Sequence, residues 1–136
     1  MNEQPVVLYV EDDPLSRRVM SMLLAGRMGL TGITIFNDSR DFEARVGALD
    51  PKPDIVFLDI QVDPHDGFTM LDMLRRMEWV NGTPIIALTA SVMIEEVQRL
   101  RTAGFNGCLA KPLDLTTFQD TFWRLLDGEA IWRIEE

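Results

Sequence analysis

The sequence predicts an α/β domain built on a parallel five-stranded sheet with helices on both faces. Three observations carry that expectation. Five short apolar runs alternate with five segments whose apolar residues recur at helical spacing. Repeated strand–helix units bury a parallel sheet between two helix layers through right-handed crossovers. Three of the runs end on charged groups, namely Glu11-Asp12, Asp59 and Lys111-Pro112. Strand ends along one edge of such a sheet are where these folds build their sites.

The elements follow in order. Val6-Val7-Leu8-Tyr9-Val10 is an apolar run of the buried-strand kind. Asp13-Pro14 reads as an N-cap with proline in the first helical turn, followed by Leu15, Val19, Met22 and Leu23 at helical spacing. Gly29 and Gly32 punctuate its end, and Ile33 to Phe36 is the second strand. Asp38 or Ser39 caps a helix carrying Phe42, Val46 and Leu49. Asp54 to Leu58 is the third strand and ends at Asp59. A loop of Asp63, Pro64, His65, Asp66 and Gly67 leads to a helix marked by Phe68, Leu71 and Leu74. Ile85 to Leu88 is the fourth strand, ending at Thr89. Ser91 caps a helix using Val92, Ile94, Val97 and Leu100, which Gly104 closes. Gly107 to Ala110 is the fifth strand, and Asp114 caps a last helix with Phe118, Phe122, Leu125 and Leu126.

Composition narrows the function classes. The 136 residues fit one domain, and 46% hydrophobic content supplies a core. Thirteen Lys+Arg against 22 Asp+Glu give a formal charge of −9, which disfavours direct nucleic-acid binding. The lone Cys108 has no partner for an internal disulfide, in keeping with a reducing, cytoplasmic setting. Met1 to Pro5 carries no basic leader, and no apolar run is long enough for membrane insertion.

The acidic strand ends need a cation. Two unit charges about 4 Å apart interact by roughly 4 kcal/mol at an effective dielectric near 20. If the first strand lies beside the third, Glu11, Asp12 and Asp59 converge. A divalent metal is the simplest resolution, and Lys111 supplies further positive charge.

In order and interval these motifs resemble the receiver domain of two-component response regulators. They are Val10-Glu11-Asp12-Asp13-Pro14, Pro53 to Gln61, Asp66-Gly67, Leu88-Thr89-Ala90 and Ala110-Lys111-Pro112. The resemblance implies a doubly wound, flavodoxin-like three-layer (βα)5 sandwich. It implies that Asp59 accepts a phosphoryl group from a phosphohistidine. Glu11 and Asp12 match the acidic pair that holds magnesium with Asp59, and the backbone carbonyl of Gln61 matches a further ligand. Thr89 and Lys111 match the hydroxyl and lysine that meet the phosphoryl group. Pro112 matches a proline after a cis bond. The implied partners are a sensor histidine kinase or a histidine phosphotransfer protein, an unidentified downstream protein, and in some cases a second copy. Such a protein is no enzyme beyond its own phosphorylation and dephosphorylation. The receiver is expected over residues 1–127, with 128–136 a short tail and no output domain.

Several residues have plainer readings. Asp13 reads as a helix cap, His65 as a solvated loop residue, and Cys108 as a buried structural thiol. Trp123 is either ordinary packing or an exposed anchor. The tail, with Ile131, Trp132 and Ile134, either packs on the last helix or meets a partner. Two positions depart from the family pattern. Cys108 stands where an aromatic usually precedes the lysine by three residues. Asp63, followed by Pro64, stands where proline usually follows the phosphoacceptor by four. Gln61 and Ser91 lie where hydrolysis is tuned. The rival readings are a pseudo-receiver that binds partners without phosphorylation and, last, a magnesium-dependent phosphohydrolase.

Overall fold

The computed structural model describes residues 4–91 and 93–132. Val92 and Ile134, both invoked above, lie outside the described residues. In chain order the elements are β1 (Val7–Val10), α1 (Pro14–Ser21), β2 (Ile33–Phe36), α2 (Phe42–Gly47), β3 (Ile55–Asp59) and α3 (Gly67–Arg75). There follow β4 (Ile85–Thr89), α4 (Ile94–Ala103), β5 (Gly107–Ala110), α5 (Phe118–Leu126) and β6 (Ile131–Trp132). A π-helical stretch, Met22–Arg27, continues α1.

The sheet is parallel, in the order β2-β1-β3-β4-β5-β6. It has six strands, where the sequence pattern showed five. The additional one comes from the segment expected to be a tail, where Ile131 and Trp132 pair with Gly107 and Cys108. Two residues are too few to display an alternating pattern, so tertiary pairing decides this strand.

The period-2 geometry of the strands builds two cores. Val7, Tyr9, Ile55, Phe57, Ile86 and Leu88 face α1 and α5, joined there by Met20, Leu24, Phe118, Phe122 and Leu125. Leu8, Val10, Val56, Leu58 and Ala87 face the other way, toward Phe42, Val46, Met70, Leu74 and Leu100 of α2, α3 and α4. Phe57 is fully buried, with ring centroids 6.2 Å from Phe118 and 6.1 Å from Phe122. The central strands β1, β3 and β4 are buried on both faces, which is why these runs read as continuous rather than alternating.

Helix ends differ in how well local chemistry determines them. Asp13 caps α1 as expected, accepting from the Ser16 amide at 2.9 Å with Pro14 in the first turn. Gly104 closes α4 at φ 110°, a conformation that suits glycine. The other expected caps move. The cap position of α2 is Asp41, because Asp38 is engaged by Arg40 and Arg45, and Ser39 by the backbone of His65. The cap position of α4 is Met93, two residues beyond Ser91, whose backbone is engaged by Thr89 Oγ1. Asp114 caps a turn just ahead of α5, accepting from the Thr116 amide and hydroxyl. Leu15 and Met22, placed on the buried stripe of the first helix by spacing, are exposed.

Candidate functional site

The register of the central strands assembles the site. Val10 of β1 pairs with Leu58 of β3, so Glu11 and Asp59 leave adjacent strands at one level. Thr89 of β4 pairs with Ala110 of β5, so Lys111 emerges one strand further on, its amide donating to the Thr89 carbonyl at 2.9 Å. The sheet thus brings residues from 100 positions apart to one edge. One oxygen each from Glu11, Asp12 and Asp59 lies within 4.8 Å of the others. Lys111 Nζ donates to both Glu11 carboxylate oxygens, at 3.0 and 3.1 Å, and to Asp59 Oδ2 at 3.3 Å. The Lys111–Pro112 peptide is cis, as expected.

Burial makes the electrostatics strong. Glu11 is 0% exposed and Asp59 5%. Burial, reinforced by the hydrogen-bonding contact and charge of Glu11, pushes the Asp59 pKa up to about 7, against the opposing pull of Lys111 and the Gln61 amide. That amide donates to Asp59 Oδ1 at 3.3 Å. Burial also works to raise Glu11, but its contacts with Asp59, Tyr9 and Lys111 prevail and hold it below the usual range. The pair therefore divides into an ionised Glu11 and an Asp59 that readily holds a proton. Desolvation works against the Lys111 ammonium, but Glu11 and Asp59 outweigh it and raise its pKa.

The remaining expected site residues are close by but otherwise engaged. Thr89 is nearly buried, and its hydroxyl exchanges hydrogen bonds with the amide and carbonyl of Ser91 rather than with Asp59. Gln61 lies two residues beyond Asp59, with its amide turned to that carboxylate. Asp63 lines a groove of about 510 Å³ with Gln61, Thr89, Ser91 and Arg99. His65 takes no place in the cluster, and its backbone is tied to Ser39.

The supporting contacts of Tyr9 and Arg17 escaped the sequence reading, and Gly67 stands in it only as part of the Asp66-Gly67 motif. Tyr9 donates its hydroxyl to Glu11 Oε1 at 2.7 Å from a fully buried position. Its spacing of two from Glu11 puts both on one strand face, so that signal was present. Arg17 donates to the Glu11 backbone carbonyl at 2.9 Å. Gly67 lets the start of α3 press on the end of β3, since a Cβ there would sit 2.9 Å from Ile60 Cα and 3.2 Å from the Asp59 carbonyl oxygen.

The carboxyl edge of this doubly wound parallel sheet thus gathers the buried Glu11 and Asp59, the exposed Asp12 and Lys111, and the three carboxylates form an oxygen-donor set of the kind that suits a hard divalent cation. The chain belongs to the response regulator receiver domain family, whose model matches residues 7–122. It is 29% identical over 120 residues to the sensor histidine kinase RcsC of Escherichia coli K12, covering 88% of this chain but only 12% of that protein. It is 26% identical to the polar-differentiation response regulator DivK of Brucella anthropi, covering 85% of this chain and 90% of DivK. Among solved structures, the receiver domain of the sensor histidine kinase PA1611 from Pseudomonas aeruginosa, described with magnesium in its active-site cleft, matches at 25% identity and a TM-score of 0.77. That match covers 91% of this chain and 98% of the other. Among the described residues no helix is long and apolar enough to cross a membrane.

Proposed function

We propose that this chain is a phosphorylatable signalling switch. Asp59 accepts a phosphoryl group from a histidine kinase or a histidine phosphotransfer protein, and a downstream protein reads the result. The observation that carries the reading is the meeting of Glu11, Asp12 and Asp59 at one sheet edge, with Lys111 bound to two of them. The donor set is made of carboxylate oxygens, which fit magnesium. Glu11, Asp12, Asp59 and the Gln61 carbonyl are the residues that would hold it. When bound, the ion supplies positive charge against the acids and the incoming phosphoryl oxygens.

The chain's own residues account for the transfer. Ionised Asp59 attacks phosphorus through one oxygen; the new O–P bond forms as the N–P bond of phosphohistidine breaks, and the imidazole leaves with that electron pair. Lys111 bears on the carboxylate that reacts and on its neighbour, so it balances charge before and after transfer. The product adds roughly 1.5 to 2 negative charges. Thr89 meets that charge by turning its hydroxyl away from Ser91, and this local exchange starts the conformational response along β4 and α4. The only covalent changes are gain and loss of the phosphoryl group, without turnover of a separate substrate. Residues 1–127 form the receiver in this reading, 128–136 a C-terminal segment that adds β6, and the setting is cytoplasmic, where the kinase partners phosphorylate. The likeness to DivK over most of its length supports the switch role, and the magnesium named for the PA1611 receiver supports the cofactor.

Transfer from a phosphorylated histidine phosphotransfer protein, followed by gel mobility of the phosphorylated chain, tests the proposal. Label should appear on the wild type and not on a folded Asp59→Asn variant. Equal labelling of both would overturn it.

A further inference from the structure

β2 is an edge strand of the sheet. Beside it, α1 and α2 help border a groove of about 530 Å³ lined by Arg17, Arg18, Ser21, Ile35, Asn37 and Arg45. None of these six residues is acidic, although the chain has 13 Lys+Arg against 22 Asp+Glu. Two of the three arginines are anchored at one end. Arg17 Nη1 donates to the Glu11 carbonyl at 2.9 Å. Arg45 Nη1 donates to Asp38 Oδ1 at 2.9 Å and to the Arg40 carbonyl at 2.7 Å, and its guanidinium carbon lies 4.0 Å from the centroid of the Phe36 ring. A guanidinium carries five N–H groups in a fixed fork, so the Nη2 and Nε ends of both remain as donors. Asp38 offsets part of the Arg45 charge and is shared with Arg40. Arg17 and Arg18 form no ion pair among the described residues, and Arg18 is exposed.

Guanidinium groups around one groove repel one another, and an anion between them relieves that repulsion. Arginine forks match phosphate oxygens in paired hydrogen bonds. A lone carboxylate would satisfy one fork and leave the others, whereas a group with two or more negative charges meets the set. Ile35 is the one aliphatic wall, so charge and hydrogen bonding define what is recognised. We propose that this groove binds a small phosphate-bearing anion with at least two negative charges. Arg17, Arg18 and Arg45 hold the anion, and the Ser21 hydroxyl and Asn37 amide add neutral donors. Anchoring two arginines in advance lowers the ordering cost of binding. The site is independent of the phosphoryl reading: it meets the carboxylate edge only at the Glu11 backbone carbonyl, and nothing in it requires chemistry at Asp59.

Calorimetric titration of the full-length chain with inorganic pyrophosphate, in metal-free buffer at low ionic strength, tests it. Omitting metal keeps the probe from being bridged to Asp12 and Asp59. The wild type should bind one equivalent with a Kd below about 1 mM. Arg18→Glu changes an exposed side chain, removes a charge-assisted contact and adds a like charge, so it should weaken binding by about tenfold or more. Arg27→Glu makes the same change in net charge at an exposed position outside the groove and should weaken binding by less than about twofold. Acetate should bind the wild type at least about tenfold more weakly than pyrophosphate, since it engages one fork. The proposal would be overturned by no saturable binding to the wild type, or by equal effects of Arg18→Glu and Arg27→Glu, which mark diffuse attraction alone. Acetate binding as tight as pyrophosphate would overturn it too. If Arg18→Glu does not fold, Arg18→Gln replaces it: affinity should fall severalfold, and unchanged affinity would count against the site.

Discussion

Replacing Asp59 by asparagine should stabilise the metal-free protein, and only at neutral and alkaline pH. Asp59 is 5% exposed, and its pKa rises from 3.8 to about 7 on folding. A carboxyl whose pKa rises on folding favours the fold when protonated. Its contribution is complete below about pH 4 and is lost as pH climbs through 7. The rise of about 3 units corresponds to roughly 4 kcal/mol at 1.36 kcal/mol per unit, and about 2.5 kcal/mol of it falls between pH 5 and 8. Glu11 shifts the opposite way, so its loss on acidification lies below this window. Urea unfolding in chelator, followed by tryptophan fluorescence, reads the effect. With a slope of roughly 2 kcal/mol per molar, the wild-type midpoint should fall by about 1.2 M urea from pH 5 to pH 8. Asp59→Asn should be nearly flat across that range, since the isostere carries no charge. The single histidine is common to both proteins and cancels in the difference. Parallel pH profiles for the two would refute the reasoning. Magnesium at about a hundred times its dissociation constant should restore about 2.7 kcal/mol to the wild type at pH 8 and much less to the variant.

Other changes at the site have their own expected outcomes. Lys111→Met leaves two buried carboxylates without their counter-charge and should cost roughly 3 kcal/mol at pH 7.5 in the same unfolding assay; unchanged stability would show that the lysine is not their main partner. Tyr9→Phe removes the 2.7 Å hydrogen bond to Glu11 and should cost about 1.5 to 3 kcal/mol, because the acceptor is ionised. Gly67→Ala pushes a Cβ against Ile60 and should cost about 1 to 3 kcal/mol while slowing phosphoryl uptake, as the end of β3 gives way. Uptake at the wild-type rate would show that this contact does not position Asp59.

Much of this architecture was legible because the strands are buried on both faces. Runs such as Val6–Val10 and Asp54–Leu58 stand out from polar surroundings, and the charged groups that end them mark the functional edge. The spacing of two between Tyr9 and Glu11 places them on one strand face, but the bond between them was not read from it. What could not be read depended on distant partners. Asp38 and Ser39 have ordinary capping chemistry, yet Arg45 and the backbone of His65 claim them. The cap position of α4 falls on Met93 rather than Ser91, whose backbone is tied to Thr89. β6 exists because Gly107, more than twenty residues earlier, leaves room for it. The motif indicates only that Thr89 stands at the site; that its hydroxyl faces Ser91 comes from the structure.

The most direct test is the intact mass of the protein after incubation with acetyl phosphate, with and without magnesium, beside Asp59→Asn. The account predicts gain of one phosphoryl group that requires magnesium and is absent from the variant. Magnesium-independent gain, or equal gain by the variant, would contradict it.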